Sequence, residues 1–522
     1  MPGIDTNVLG MIDPELSLSR ISYDVRSDFI LSPHYSSVFA NVGNELWSDL
    51  SSSLRSGSFE PDLPITIEVP KRSGLTRPGS ILFPKDRLVY QALADLLAPL
   101  AEDHLDRSRV YSNVLLDPDP TFAMFEPSSA CWGNLQSSIR ANCLDGSFTH
   151  AVKADVANYF ERLYQHNLVN LLHTCGCPGG AVNLLEELFL SWMERDSHGI
   201  LQGMFPSDFL GNFCLVGVDS DYSVRNVPSA RYVDDIYAFY SSIEAARVGL
   251  VDLTRVLRQE GLHLNESKSS VLEVEHLLYE ETEIDRLFQA AREELEQDAY
   301  VYSPYGFEFI WIEEDEEEAD DTDYELLAVE ALYQRVDDVE ERVAEKIEKF
   351  CLPIFASAEN ALGLDRALVG MVSRPHLSGL YSSYLSSIAR SNPAILISLE
   401  DILQDRRIPY DWQLMFLIAP LIRAESVRTQ TVTLVFRIMR DMSRCEALRG
   451  LCAILIGKHG NAGHRRNLRN HYADEPSSYV RSAVLFASRY FPTAERRTCI
   501  GAWGGHSSTN SLIARTIKLL AK

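Results

Sequence analysis

The stretch SARYVDDIYAFY, residues 229–240, sets two adjacent carboxylates, Asp234 and Asp235, inside a run of apolar and aromatic side chains. As geometry it reads as a strand, a two-residue turn and a second strand, because Asp is a common turn residue. As chemistry it reads as a hairpin tip that offers carboxylates to a divalent cation, since hard cations take oxygen ligands held on rigid elements. The stretch alone leaves both readings open, and the rest of the chain has to decide between them.

At 522 residues the chain is long enough for two to four domains, and an apolar fraction of 46% is that of a globular protein. No apolar run approaches the roughly 20 residues that span a bilayer, and the start MPGIDTNVLGMIDPELS lacks a basic flank ahead of an apolar core, so a soluble cytoplasmic protein without a membrane partner is expected. The nine cysteines form no CxxC pair, which argues for reduced thiols rather than zinc or a disulfide framework. A net charge of −26 speaks against generic nucleic-acid binding, but the charge is uneven. Residues 401–522 hold 19 Lys+Arg against 9 Asp+Glu, a balance of +10 that leaves −36 for residues 1–400. The acidic extreme, EEDEEEADD at 313–321, reads as a solvated loop and marks a boundary.

Along the chain, residues 1–60 read as an N-terminal helical extension and LPITIEVPKRSGLTRPGSILFP as strands and turns. DRLVYQALADLLAPLAEDHL carries a helical stripe at Leu88, Val89, Ala92, Leu93, Leu96 and Leu97. Further helices are expected at 133–143 and 181–194, a strand ending at Asp155, and an amphipathic helix that stops at Gly261 and feeds a strand. The expected fold class is α+β, with one unit at 61–275, an acidic helical linker at 276–345 and an all-α region at 346–522. In the last, stripes such as Val480, Ala483, Val484, Ala487 and Phe491 suggest stacked helical hairpins of the HEAT type.

Asp155 ends its strand much as Asp234 does, and two such aspartates brought together could hold two metal ions about 3.5–4 Å apart for in-line displacement at a phosphate. Four palm-like motifs and one upstream segment then occur in a meaningful order. DVANYF (155–160) places Phe160 five residues after Asp155, GILQGMFPSDFLGN (199–212) carries Gly199, Gln202, Gly203, Ser207 and Asn212, YVDD spans Tyr232–Asp235, and GLHLNESKS (261–269) carries Lys268. Upstream, RPGSILFPKDRLVYQAL (77–93) sets a basic residue before the Asp86–Arg87 pair. Over roughly residues 70–272 the chain resembles a reverse transcriptase, with right-hand fingers and palm.

The resemblance implies Mg2+ or Mn2+ held by Asp155, Asp234 and Asp235, with Asp235 the secondary ligand. It implies deoxynucleoside triphosphates as substrates, Phe160 under the incoming sugar where a ring excludes a 2′ hydroxyl, and Gln202, Gly203 and Tyr232 beside the nucleotide and template. Lys268 would pass a proton to the leaving pyrophosphate, and Lys71 and Arg77 would pair with the triphosphate, with Arg87 a structural partner of the neighbouring helix. The chain departs from the common pattern at Leu201, Met204 and Phe205, where most relatives have smaller residues or proline. No nuclease carboxylate set follows residue 272. A short polymerase core with a helical-repeat tail in place of the thumb resembles the abortive-infection and wider defence-associated reverse transcriptases of bacteria. That family implies DNA synthesis, RNA-dependent or template-independent, in antiviral defence, sometimes protein-primed, sometimes with a non-coding RNA, with nascent single-stranded DNA as product and a trimer or hexamer as assembly. A retron- or intron-type enzyme copying a dedicated RNA, and a non-catalytic RNA-binding scaffold, are the alternatives. Tyr23, Tyr35, Tyr472 and Tyr479 are candidate priming hydroxyls, and Lys458, Arg465, Arg466 and Arg469 are the densest basic cluster.

Overall fold

The computed structural model describes residues 6–26, 30–116, 123–194, 196–279, 322–405 and 407–520; the acidic run 313–321 lies outside them. The strands are β1 (Ile65–Pro70), β2 (Thr76–Ile81), β3 (His150–Asp155), β4 (Ser229–Tyr232), β5 (Asp235–Tyr240) and β6 (Ser270–Glu273), and most other described residues are helical. Contacts divide the chain into two compact units, neither continuous in sequence. One takes Met1–Asp24, Trp47–Leu63 and Lys85–Tyr305, the other Val25–Leu46, Pro64–Pro84 and Gly306–Lys522. The N-terminal helical segment is thus shared between the units, and the β1–β2 hairpin groups with the C-terminal helices, not with the sheet that follows it.

The first unit is built on an antiparallel sheet of order β4-β5-β3-β6. β5 is buried at four successive positions, Ile236 to Phe239, because helices pack on the sheet, so its apolar and aromatic residues run on without polar alternation. Helix Ile243–Gln259 crosses back to β6. Ser242 caps it by accepting from the Ala245 N–H at 3.2 Å, and its buried stripe is Ala246, Gly249, Leu253 and Leu257. Gly249 has a packing reason: a Cβ there would lie 2.1 Å from the Tyr240 hydroxyl on β5. Gly261 follows the helix at φ +74°, the left-handed conformation that lets the chain turn towards β6.

In the second unit, helices Glu341–Ser357, Ser378–Ser391, Asp411–Arg423, Glu446–His459, Ser478–Ala487 and Ser508–Leu520 pack side by side in chain order, each joined to the next through an intervening helix. Alternation gives this inner layer one polarity, as in stacked helical hairpins. The polarity is visible in cross-links between like ends. Ser387 Oγ donates to Ala356 O at 2.5 Å, Ser382 Oγ donates to Phe416 O at 2.7 Å, and Gly450 meets Tyr479 while Gly457 meets Ala487. Buried Glu348 is held between Arg366 and Arg374 at 2.7 and 2.5 Å and accepts from the Tyr381 hydroxyl, so its charge is compensated inside the stack. The hairpin joins this unit through Arg72 Nε to Glu345 at 3.1 Å and through the Tyr410 hydroxyl, which donates to Gly74 O at 2.9 Å.

Close packing of the inner layer sets a test. Gly457→Ala would place a Cβ 2.7 Å from both Cβ and O of Ala487, and should destabilise the protein by about 1–3 kcal/mol. Gly501→Ala, on helix Thr493–Trp503 with open space around it, should gain about 0.5–1 kcal/mol. Urea midpoints of the two variants should move in opposite directions.

Candidate active site

β3 and β5 pair in a register that sets Asp155 directly opposite Asp235, so both carboxylates leave the same face of the sheet as immediate neighbours. On the other side of β5, Tyr232 pairs with Asp235, leaving Val233 and Asp234 as a two-residue connection. The Val156 N–H donates to Asp234 O at 3.3 Å and ties that connection to the end of β3. Three carboxylates therefore gather at one edge of the sheet. Burial, then the charges of Asp235 and Asp155, push the Asp234 carboxyl up to about 7.

Lys268 stands on this cluster, its Nζ donating to Asp155 Oδ2 at 2.7 Å. Burial works against its charge, but the hydrogen bond and charge of Asp155, with Asp235 and Asp234 beyond, hold the ammonium above its usual value. Among the described residues no three carboxylate, imidazole or thiolate groups are already gathered at metal-binding separation. The Lys268 ammonium occupies an Asp155 oxygen that a cation would use. The donor set itself suits a hard cation: oxygen ligands only, with a mutual repulsion that a divalent ion would relieve.

A buried polar network holds the turn that carries these aspartates. Val233 is β-branched yet sits at φ +52°, a conformation that costs about 1–3 kcal/mol. Both of its backbone groups are fixed. Its N–H donates to Ser112 Oγ at 2.8 Å, and its carbonyl accepts from Arg231 Nη1 at 2.9 Å. Arg231, 1% exposed, makes a two-pronged ion pair with Asp219 at 2.9 and 2.6 Å and also donates to Asn212 Oδ1 and O. Asn212 in turn exchanges hydrogen bonds with Ser112 through both its amide oxygen and nitrogen, at 2.8 Å each. Asn212 is the last residue of the second motif, so this network joins that helix to the Tyr232–Asp235 turn.

The first and second motifs are joined by backbone. Ile200 N–H donates to Phe160 O at 2.9 Å, and Gly199 N–H to Leu163 O at 2.8 Å. Phe160 is half-buried and lies on Gly211, where a Cβ would come within 2.6 Å of the ring; the Tyr159 hydroxyl donates to Gly211 O at 2.5 Å. Gln202 and Gly203 are half-buried in the loop before helix Phe205–Cys214, with Gly203 at φ +87°. Leu201 and Met204 are buried at 5% and 0%, so these departures from the family pattern face the core. The Phe205 N–H donates to Asp24 Oδ2 at 3.0 Å, and Asp24 also pairs with Arg87 at 2.6 Å, a buried structural bridge.

Several expectations need correction. Tyr232, expected beside substrate, is 2% exposed with its ring edge-on to Trp132 at 5.2 Å, because it fills the core behind the turn. Lys71 opens the turn of the β1–β2 hairpin and Arg77 sits opposite Val69 on β2, both half-buried in the second unit. Tyr35, Tyr472 and Tyr479 are buried among aromatic neighbours, whereas Tyr23 is half-buried with its ring 6.1 Å from Phe205. Lys458 does not belong to a free basic cluster: its Nζ donates to the carbonyls of Ile422, Arg423 and Ala424 at 2.8–3.2 Å, and Arg465 and Arg469 face Glu495. Sequence reasoning missed Ser112, Asp219 and Arg231. Arg231 carried a signal, since an arginine inside an apolar strand must be paired when buried.

The crowding of carboxylates sets a pH test. With its folded-state pKa raised from 3.8 to about 7, Asp234 favours the fold below pH 4, and that contribution is lost as pH rises towards 7. Asp234→Asn should raise Tm in metal-free buffer at pH 8 by on the order of 2 °C, after allowing for solvent screening, with the gain vanishing near pH 4. Millimolar Mg2+ should raise Tm of the parent protein more than that of the variant; equal shifts would remove Asp234 from the cation site.

Residues 69–296 match the family model described as reverse transcriptase (RNA-dependent DNA polymerase). No curated protein matches the chain. Among solved structures, telomerase from Candida albicans with a fragment of telomeric RNA is similar at 9% identity and a TM-score of 0.32, covering 77% of this chain and 70% of that one. Among the described residues no helix is long and apolar enough to cross a membrane. The chain thus carries a reverse transcriptase domain around its paired aspartates, and it is a DNA-polymerising nucleotidyltransferase.

Proposed function

We propose that the enzyme makes DNA in bacterial anti-phage defence, with an RNA template or none, and that synthesis begins on a hydroxyl of the protein. The observation that carries the catalytic part is the register of β3 against β5, which makes neighbours of Asp155 and Asp235 with Asp234 one residue away. In this reading the three carboxylates hold Mg2+ or Mn2+, which would activate the 3′ hydroxyl and neutralise charge at the α-phosphate. With a cation on Asp155, Lys268 would be free to donate a proton to the departing pyrophosphate. Phe160, braced on Gly211, closes the space that a ribose 2′ hydroxyl would need. Gln202 and Gly203 contact the nucleotide or template.

The defence assignment is supported by the resemblance to abortive-infection reverse transcriptases and by the array of helical hairpins, HEAT-like in its alternation, that follows the palm. Trimeric or hexameric assembly, a bound non-coding RNA and a cytoplasmic location belong to the same reading. Protein priming is supported at one tyrosine named from the sequence: Tyr23 is partly exposed and touches the first residue of the second-motif helix. A hydroxyl on the same chain has the effective-concentration advantage of an intramolecular reaction.

The test is to incubate the purified protein with labelled deoxynucleotides and Mg2+ and to separate it denatured, before and after nuclease and protease. Label should travel with the protein until protease treatment, and Tyr23→Phe should abolish it. Asp234→Ala with Asp235→Ala should stop all incorporation without lowering Tm. Phe160→Ala should improve ribonucleotide use roughly 10- to 100-fold. Product free of protein and copied from a co-purifying RNA would instead support the retron-type reading, and no incorporation under any condition the non-catalytic scaffold.

A further inference from the structure

The helices that intervene between the inner ones of the second unit form an outer layer, and three consecutive members of it are Thr429–Arg440, Ala462–Asp474 and Thr493–Trp503. Together these three hold seven arginines and no lysine against two carboxylates, Asp474 and Glu495. They are neighbours. Thr433 Oγ1 lies 3.4 Å from His464 Nε2, and Arg465 and Arg469 face Glu495 at 3.9 and 3.5 Å, so the first helix meets the second and the second meets the third.

Three of the arginines are used within the protein: Arg465 and Arg469 share Glu495, and Arg496 donates to Arg489 O at 3.3 Å. The other four, Arg437, Arg440, Arg466 and Arg497, are exposed and make no hydrogen bond or ion pair with any described residue. Their direction follows from their spacing. Arg437 stands two residues from buried Val435 and Met439, Arg466 two from buried Leu468, and Arg497 two from buried Cys499. Two residues are about 200° round an α-helix, so each of the three points away from the core, and Arg440, three residues after Arg437, lies on the same side. The carboxylates nearby do not answer them. Glu495 is shared by two other arginines, Asp441 accepts from Ser443 and faces Arg444 at 3.7 Å, and Asp474 stands at the far end of its helix. Cations brought together without matching carboxylates are repulsive in the free protein, and an anionic partner relieves that cost.

We propose that this outer face, with Arg437, Arg440, Arg466 and Arg497, binds the sugar–phosphate backbone of a base-paired nucleic acid. Exposed arginines ordinarily serve solubility, a task that lysine and carboxylates do as well. A layer that uses arginine alone fits a phosphate partner instead, because the guanidinium fork meets phosphate oxygens in pairs. Single strands are held where a basic groove also offers aromatic rings for bases to stack on. This face offers none: Tyr472 is 3% exposed, and Phe436 and Trp503 are half-buried, the latter stacked on Tyr472 at 4.0 Å. A duplex keeps its bases inside and presents backbone, whose contacts position without reading sequence. Packed helices lie about 8–10 Å apart, so arginines on three of them extend over about 20 Å, wide enough to meet both backbones that border a groove of about 12 Å. The proposal goes beyond the polymerase reading, and binding itself needs no catalysis.

The experiment is fluorescence anisotropy on the full chain without nucleotides, across a salt series, with labelled RNA, DNA and RNA–DNA duplexes of mixed sequence and the matching single strands. The three duplexes distinguish the sources of the backbone. The combined variant Arg437→Gln, Arg440→Gln, Arg466→Gln, Arg497→Gln should weaken duplex binding at least tenfold and lower the slope of log affinity against log salt by about 3 to 4, from four lost phosphate contacts on a duplex. The matching lysine variant should keep most of that slope, which separates lost charge from lost folding, and both variants should melt with the parent protein. Removing an equal charge from exposed arginines off the face, with Arg55→Gln, Arg140→Gln, Arg247→Gln, Arg258→Gln, should leave duplex binding within about twofold. Equal loss in both glutamine variants, no loss in the first, or tighter binding of single strands than of duplexes would each overturn the proposal. Asp234→Ala should bind duplex like the parent protein, so a failed polymerase assignment and a failed outer face give different results.

Discussion

The turn that carries Asp234 and Asp235 depends on one buried ion pair. Arg231 and Asp219 lie inside the first unit at 1% and 4% exposure, and through Arg231 the pair reaches the carbonyl of Val233 and both oxygens of Asn212, Oδ1 and O. Val233 would not hold a left-handed conformation unaided. Its strain, about 1–3 kcal/mol, is offset by hydrogen bonds on both sides of the residue, from groups that have no solvent alternative. Removing one partner of such a pair leaves a buried charge and typically costs about 3–5 kcal/mol. The position of Asp234 and Asp235 is thus over-determined from behind, which a site needs when its own carboxylates repel one another.

Much of the site was legible because its chemistry requires particular residue types at fixed places. Asp155, Asp234 and Asp235 come together by strand register, and register follows from apolar residues that must face helices, as in β3 and β5. Helix Ile243–Gln259 could likewise be read from its stripe and from Gly261. What was not legible is whatever depends on distant partners. Nothing local distinguishes Tyr232 as a core residue from Tyr232 as a substrate contact; the neighbour that decides it, Trp132, is a hundred residues away. Lys458 looked like part of a basic cluster because its neighbours in sequence are basic, yet its ammonium is consumed by carbonyls on the preceding inner helix. Ser112 is one serine among many in the sequence, and only the fold brings it to Val233.

The distribution of charge also has a physical sense. The first unit gathers carboxylates at one sheet edge, and Lys268 on Asp155 is a local answer to their repulsion that a cation can replace. In the second unit buried carboxylates such as Glu348 and Glu475 are matched by arginines and a histidine within the stack, so they give no net field at the surface. Within that unit the basic excess lies in residues 401–522, with 19 Lys+Arg against 9 Asp+Glu. A chain with a formal charge of −26 can therefore carry a surface that attracts phosphates.

The second unit also changes what the helical array is for. β1 and β2 form a two-stranded sheet, and a hairpin of that size is marginal in water unless something packs on it. Its packing comes from the C-terminal half of the chain: β1 lies against helices Asp411–Arg423 and Glu446–His459, Arg72 pairs with Glu345, and Tyr410 closes on Gly74. The N-terminal segment enters the same core, with Tyr35 between Phe83 and Tyr479 at 5.6 and 5.2 Å. A helical tail added to a finished polymerase would leave the fingers hairpin with its own partners upstream of residue 300. Here helices that pack on the hairpin lie hundreds of residues downstream, so the array is part of what holds the hairpin that carries Lys71 and Arg77, and not an appendage.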